Sequence, residues 1–291
     1  EVDNRQVNLT RFSLFFPEKR DFFLQDVDIF NFGGLSQNGI PFYSRRIGLS
    51  GSGQPVDIDA GLKLTGRVGR WNVGGLAVQQ AENGALNSQS VFVGRAAANV
   101  FSESSIGAIV TTGDPRSDIG NSLLGVDFRY QNTRFSDTHT LRSTNWYQQS
   151  DTESVTSGDE KAWGISAGYT TQGSGIGIDA NYEYFGKNFN PALGFANRQG
   201  TDHLVAGTTA RLFLNNHPLI RSLDMSIRGG YFRVKDTGEM QQQLGQYRFL
   251  TVNTHQGDQL GFGMSRSREG LLSDFEISPG IVIPARDYGW Y

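Results

Sequence analysis

The sequence has no cysteine, no long apolar run and no block of like charge. Without cysteine there is no thiolate to hold a metal. His139, His203, His217 and His255 are scattered and lack the spacing of a metal site. The absence of cysteine fits an oxidising compartment without requiring one. No stretch approaches the roughly eighteen apolar residues of a membrane helix. Net charge is −3 with both signs interspersed, and the lack of a basic run argues against nucleic acid as a partner. The hydrophobic share, glycine excluded, is 37%, a little below the roughly 40–45% of an average domain on the same count. Two classes fit such a share: disorder, or a barrel with a wet interior. Aromatic residues reach 12%, and disordered chains are poor in them. The barrel remains, because a membrane barrel buries one face of each strand in lipid and leaves the other polar.

What is present agrees with that class. The 37 glycines are well above the average share of about 7% and have no collagen period. From residue 57 onward, segments of roughly ten residues alternate in polarity between turn residues, the signature of transmembrane barrel strands. In Asp57–Val68, Ile58, Ala60, Leu62, Leu64 and Val68 share one face, and Asp57, Asp59, Lys63, Thr65 and Arg67 the other. Ile176–Phe185 repeats the pattern, as do Leu204–Phe213, Leu223–Val234 and Leu260–Arg266. Alternation is weaker in Trp71–Gln79, Val91–Val100, Ile106–Thr111, Leu123–Tyr130, Leu141–Gln148, Ala162–Thr170, Met240–Val252 and Phe275–Ile277. The total is about thirteen strands, with ends uncertain by two to four residues. Helical periodicity is nowhere sustained. Short and long connections alternate, as between the periplasmic and external ends of bacterial barrels. With Gly69-Arg70 on the periplasmic side, the first strand begins outside.

Residues 1–56 differ. Phenylalanine clusters alternate with charged clusters without a period of two, and Pro17 blocks a regular helix or central strand. The segment reads as an irregular plug or cap, and residues 57–291 as barrel strands.

Three blocks carry a resemblance: Gln6-Val7-Asn8-Leu9-Thr10-Arg11-Phe12, then Phe15-Phe16-Pro17-Glu18-Lys19-Arg20-Asp21-Phe22-Phe23-Leu24, then Phe42-Tyr43-Ser44-Arg45-Arg46-Ile47-Gly48. They resemble a bacterial family, domain of unknown function 5916. Leu62-Lys63-Leu64-Thr65-Gly66-Arg67 and Asn190-Pro191-Ala192-Leu193-Gly194-Phe195 look like later motifs of the same family. The resemblance implies an outer-membrane-type barrel preceded by a domain similar to family 9 carbohydrate-binding modules. It also implies further strands after Tyr291, so this chain is expected to be an incomplete barrel with partners in those missing regions. Glu1 opens a polar segment with no signal peptide, so a secreted protein is expected to be mature or cut from something longer. The family assigns no catalytic residues.

Several patterns invite chemistry. Gly164-Ile165-Ser166-Ala167-Gly168 matches G-x-S-x-G, but a nucleophile elbow needs strand, sharp turn and helix, and this match lies inside an alternating strand. Glu18, Asp21, Asp26 and Asp28 offer a carboxylate pair for glycoside hydrolysis. The competing reading pairs these acids with Arg11, Lys19, Arg20, Arg45 and Arg46, since charges in a partly dry plug need partners. Asp57-Ile58-Asp59 and Asp114-Pro115-Arg116-Ser117-Asp118 depart from EF-hand spacing. Trp71, Trp146, Trp163 and Trp290 fit interfacial girdles better than a sugar-stacking track. Arg67, Arg95, Arg129 and Arg228 are expected to face the lumen near Asp127, Asp179, Glu183 and Asp224, because a lipid-facing charge costs about 2–4 kcal/mol at the midplane. Ile58, Leu62, Leu64, Ile176, Ile178, Tyr182, Leu260 and Phe262 are expected to face outward.

The expectation is therefore an all-β, antiparallel transmembrane β-barrel of the bacterial outer membrane. It acts as a channel or translocation barrel with a lumenal plug, and no catalytic, cofactor or metal residues are assigned. The plug is held by a charge network of Arg11, Glu18, Lys19, Arg20, Asp21, Arg45 and Arg46. A second reading is a non-conducting barrel in outer-membrane lipid that docks a protein through Ser150–Lys161 and Gly186–Asp202. A third is a barrel-borne carbohydrate-active hydrolase.

Overall fold

The structure is a computed structural model that describes residues 12–51, 53–84, 86–153, 155, 158–278 and 280–290. Among the described residues, helix is confined to one turn, α1 (Asp21–Leu24), and two 3₁₀ turns, Val27–Phe30 and Ser44–Arg46. The strands are β1 (Ile58–Val68), β2 (Trp71–Gln80), β3 (Gln89–Val100), β4 (Ser104–Thr112), β5 (Asn121–Asn132), β6 (His139–Thr152), β7 (Lys161–Thr171) and β8 (Gly175–Phe185). They continue as β9 (Thr201–Phe213), β10 (Ile220–Val234), β11 (Met240–Thr254), β12 (Gln259–Gly270), β13 (Phe275–Ser278), β14 (Ile281–Ile283) and β15 (Asp287–Trp290).

Strands β1 to β12 follow one another in a single sheet, and β15 pairs with β12 to make 13 strands. The sheet is all-β and antiparallel in its described pairings. Among the described residues it is not closed: β1 and β15 are the two ends of the order. The expected thirteenth strand at Phe275–Ile277 is a correction. It forms a separate hairpin with β14, and Asp287–Trp290 takes its place in the sheet. The connection 271–286 holds no sustained alternation that would have marked the difference.

The turns explain the register. Gly69 has φ +59° and joins Val68 to its partner Trp71 through two residues. A two-residue hairpin with glycine first has the backbone twist that suits flanking strands. Among the described residues, no helix is long and apolar enough to cross a membrane, which says nothing of strands.

The chain divides into two compact units. Unit 1 holds residues 1–129, 145–163 and 185–199; unit 2 holds residues 130–144, 164–184 and 200–291. In unit 1 the paired residues form cross-strand rows that share a face. One face carries Leu64–Gly75–Gly94–Val110–Leu124 and Gly66–Val73–Ala96–Ala108–Val126. These rows hold no charge and are open to the surroundings; Leu64 is 75% exposed. The opposite face carries Lys63–Leu76–Val93–Thr111–Leu123. Leu76, Val93 and Leu123 are buried there against Phe23, Phe30, Phe32 and Ile47.

In unit 2 the open face repeats, with Leu212–Leu223–Val252–Leu260 and Thr208–Ile227–Tyr247–Met264 as rows. Leu260 is 77% exposed. The other face is polar, with Gly207–Arg228–Gln246–Ser265 and Arg211–Asp224–Thr251–Gly261.

Candidate functional site

The seat of residues 12–56 lies on the covered face of unit 1. Near the tight hairpin, β1 supplies the polar anchors. Thr65 Oγ1 donates to Asp26 at 2.7 Å, and Arg67 Nη2 pairs with Asp28 at 2.5 Å. Lys63 Nζ donates to the carbonyls of Phe22, Phe23 and Gln25. On β5, Asp127 accepts the Gly33 N–H at 3.2 Å and also holds Arg95 through two bonds of 2.6 and 3.0 Å. Between these anchors the contact is apolar. Phe32 lies against Ile109 and Gly125, while Ile29 and Phe30 lie against Gly74. The segment turns back at Gly33, whose φ is +58° and where a Cβ would stand 2.9 Å from the Trp146 ring. Trp146 is therefore a core residue, not the girdle residue its type suggested. Trp71 and Trp163 are on the open face, and the Trp290 side chain lies outside the described residues.

The expected charge network is distributed differently. Arg11 lies outside the described residues. Glu18 is the hub: Arg20 Nη2 pairs with it at 2.7 Å, Ser44 Oγ donates at 2.6 Å, and the Lys19 and Arg20 backbone N–H groups donate as well. Burial pushes the Glu18 carboxyl up, but these bonds outweigh it and hold it at about 2. Such a group carries no proton near neutral pH and is unsuited to be the general acid of a glycosidase pair. Arg20 also donates to the Ile47 and Ser44 carbonyls. Arg45 donates to the Pro17 carbonyl and lies 5.8 Å from the Phe16 ring. Arg46 donates to the Gly194 carbonyl at 2.7 Å rather than to an acid. Asp21 stands exposed in the first turn of α1.

Two motifs distant in sequence meet in this seat. Ile40 and Phe195 form a bridge, and the Tyr43 N–H donates to the Leu193 carbonyl at 2.8 Å. Tyr43 stacks on Phe15 at 4.7 Å, and Phe195 meets both rings edge-on. Gly194 is required: a Cβ there would stand 1.8 Å from the Ile40 carbonyl oxygen. Asn38 fastens the same corner by accepting the Asn197 N–H at 2.7 Å. Phe189, Leu193 and Phe195 are buried, so much of the long connection after β8 belongs to the core and not to a free loop. No sequence pattern signalled this meeting, because the partners lie about 150 residues apart and neither stretch is periodic.

In unit 2 the polar face borders an open cleft of about 700 Å³, lined by Asp179, Arg228, Gln246, Arg248, Thr251 and Gln259 among others. Arg228 pairs with Asp179 at 2.9 Å, and Arg211 with Asp224 at 2.5 Å. Asn253 also donates to Asp224 at 2.6 Å. Glu183 meets His203 at 2.9 Å, and His203 stacks on Phe232. His139 stacks on Tyr169, while His217 Nδ1 accepts two backbone N–H groups. Ser166 of the G-x-S-x-G match lies within β7 and donates to the Thr144 carbonyl at 3.4 Å. Asp114 and Asp118 accept from different loop groups, Arg116 N and Asn87 N respectively.

Comparison with known proteins adds one finding. Residues 1–66 match the family model described as Domain of unknown function (DUF5916). No curated protein and no solved structure matches the chain.

Proposed function

We propose, for a chain whose residues 1–66 carry the DUF5916 family match, that the sheet is wall of a barrel spanning a bacterial outer membrane, with residues 12–56 as its lumenal plug. The uncharged cross-strand rows on the open face carry this reading. A water-facing sheet surface alternates toward polar residues, whereas lipid accepts this one without cost. The connections support it. Residues 69–70, 101–103, 172–174 and 255–258 are short, and 81–88, 113–120, 153–160 and 186–200 at the other strand ends are longer; 133–138 and 214–219 at the first ends and 235–239 at the second depart from this alternation. The longer set shares its end with the start of β1 and is assigned to the cell exterior. The polar face of unit 2 then lines a wet path, and residues 12–56 cover the corresponding face of unit 1.

The reading as a non-conducting docking barrel has less support, because Phe189, Leu193 and Phe195 turn inward where a docking loop would present them. Planar-bilayer recording on the full chain and on a variant lacking residues 12–56 tests the proposal. The deletion is expected to raise conductance sharply while the strands stay folded by circular dichroism. A chain that remains in the aqueous phase in vesicle flotation refutes the membrane assignment.

A further inference from the structure

The polar face of unit 2 holds more positive charge around its cleft than the acids there can match. The open cleft of about 700 Å³ adjoins a second of about 350 Å³, and Arg248, Ser226, Thr251 and Gln259 line both. The charged side chains lining the two are Arg211, Arg221, Arg228 and Arg248 against Asp179 and Asp224. Both acids are committed. Arg228 Nη1 reaches the two oxygens of Asp179, at 3.1 and 2.9 Å. Asp224 accepts from Arg211 through Oδ1 at 2.5 Å and from Asn253 through Oδ2 at 2.6 Å. Arg221 and Arg248 remain. Both are exposed, and among the described residues neither has an acid within ion-pair distance.

The register sets Arg248 between the two matched pairs. It lies opposite Ser226 on β10 and Gly263 on β12. The next row toward one end is Arg228–Gln246–Ser265, and toward the other Asp224–Thr251–Gly261. Pairing slips between Arg248 and Leu250, and a bulge of this kind re-aims a side chain. The flanking residues are small, which leaves the guanidinium open to the cleft. Glu183 and Glu269 belong to the row of Phe232, through His203 and Gln242. That row is six residues along β10 from Ser226, about 20 Å at the rise of a strand, beyond the roughly 8–10 Å over which salt screens a charge.

A surplus of one sign in a wet, low-dielectric cleft concentrates ions of the other sign, and arginines lining a pore favour anions. We propose that the wet path along unit 2 passes small anions in preference to cations, and that Arg248 sets the preference. This selectivity rests on the reading of the sheet as barrel wall.

The test is the reversal potential of the full chain in a planar bilayer under a potassium chloride gradient. Chloride is expected to carry more of the current than potassium. Arg248→Gln is expected to shift the reversal potential toward the potassium side, and Arg248→Lys to keep the parent value. Asp179→Asn removes an acid from the same cleft and is expected to shift it the opposite way. Because Arg248 has no partner to lose, Arg248→Gln should unfold in urea as the parent does; a destabilised variant marks a structural role and overturns the assignment. A parent that prefers potassium, or an unchanged reversal potential in Arg248→Gln, overturns the inference and leaves the barrel reading standing. A chain that inserts but passes no current also overturns it, whereas one that stays in the aqueous phase in vesicle flotation overturns the barrel reading itself.

Discussion

The two units carry the same open face and opposite covered ones. In unit 1, Leu76, Val78, Val91, Val93, Ile109 and Leu123 are buried beneath Phe23, Phe30 and Phe32. In unit 2 the equivalent positions are Arg211, Asp224, Arg228, Gln246 and Arg248, the last three lining an open cleft. A strand with one face covered by protein and the other apolar must be apolar on both. A strand with one wet face must alternate. The contrast explains why alternation is strong in β9, β10 and β12 and faint in β2 to β5. Across β2 to β5, weak alternation is the imprint of the segment on the sheet; β1 lies under the same segment yet alternates, because its covered face supplies the polar anchors Lys63, Thr65 and Arg67, and β11 of unit 2 is faint without it.

The contrast can be broken at its strongest point first. Leu76→Ala in unit 1 is expected to cost about 2–5 kcal/mol, the range for a truncated core leucine. Chemical unfolding in detergent measures it. Leu64→Arg on the open face is expected to cost about 2–4 kcal/mol in lipid. In a water-facing sheet the same exposed position would change stability by less than about 0.5 kcal/mol, so refolding into vesicles separates the two environments. Gly194→Ala is expected to cost about 1–3 kcal/mol through overpacking against the Ile40 carbonyl, and to appear first as protease access to residues 12–56.

Acid sharpens the comparison further. The Glu18 carboxyl is held at about 2, below the ordinary 4.5. A depressed carboxyl contributes stability that is fully present above its unfolded value and lost as pH falls through the folded one. The seat should therefore loosen between about 4.5 and about 2. Pepsin cleavage of the segment across that window checks this, and Glu18→Gln should flatten the profile. The smallest effect belongs to unit 2. Arg228→Ala removes a solvent-exposed pair with Asp179 and is expected to cost about 0–1 kcal/mol in urea unfolding.

Much of the sheet was legible because a period of two survives in single segments. The open-face placement of Leu62, Leu64, Ile176, Ile178, Leu260 and Phe262 follows from alternation alone. The seat was less legible. Arg67 and Asp28 were each visible as charges needing partners, and they pair with each other. Arg46 looked equivalent, yet it reaches a backbone carbonyl that no pattern advertises. Trp146 and Phe195 show the same limit: one was expected in a girdle and the other in a docking loop, and a distant irregular segment buried them both.

The Lys63 ammonium rests on the last carbonyls of α1, those of Phe22, Phe23 and Gln25. A four-residue turn is far too short to persist by itself, and its C-terminal carbonyls need donors. Here the donor comes from a strand some forty residues later in the chain. The turn is thus templated by the wall. The segment is therefore expected to take this shape only against a formed β1.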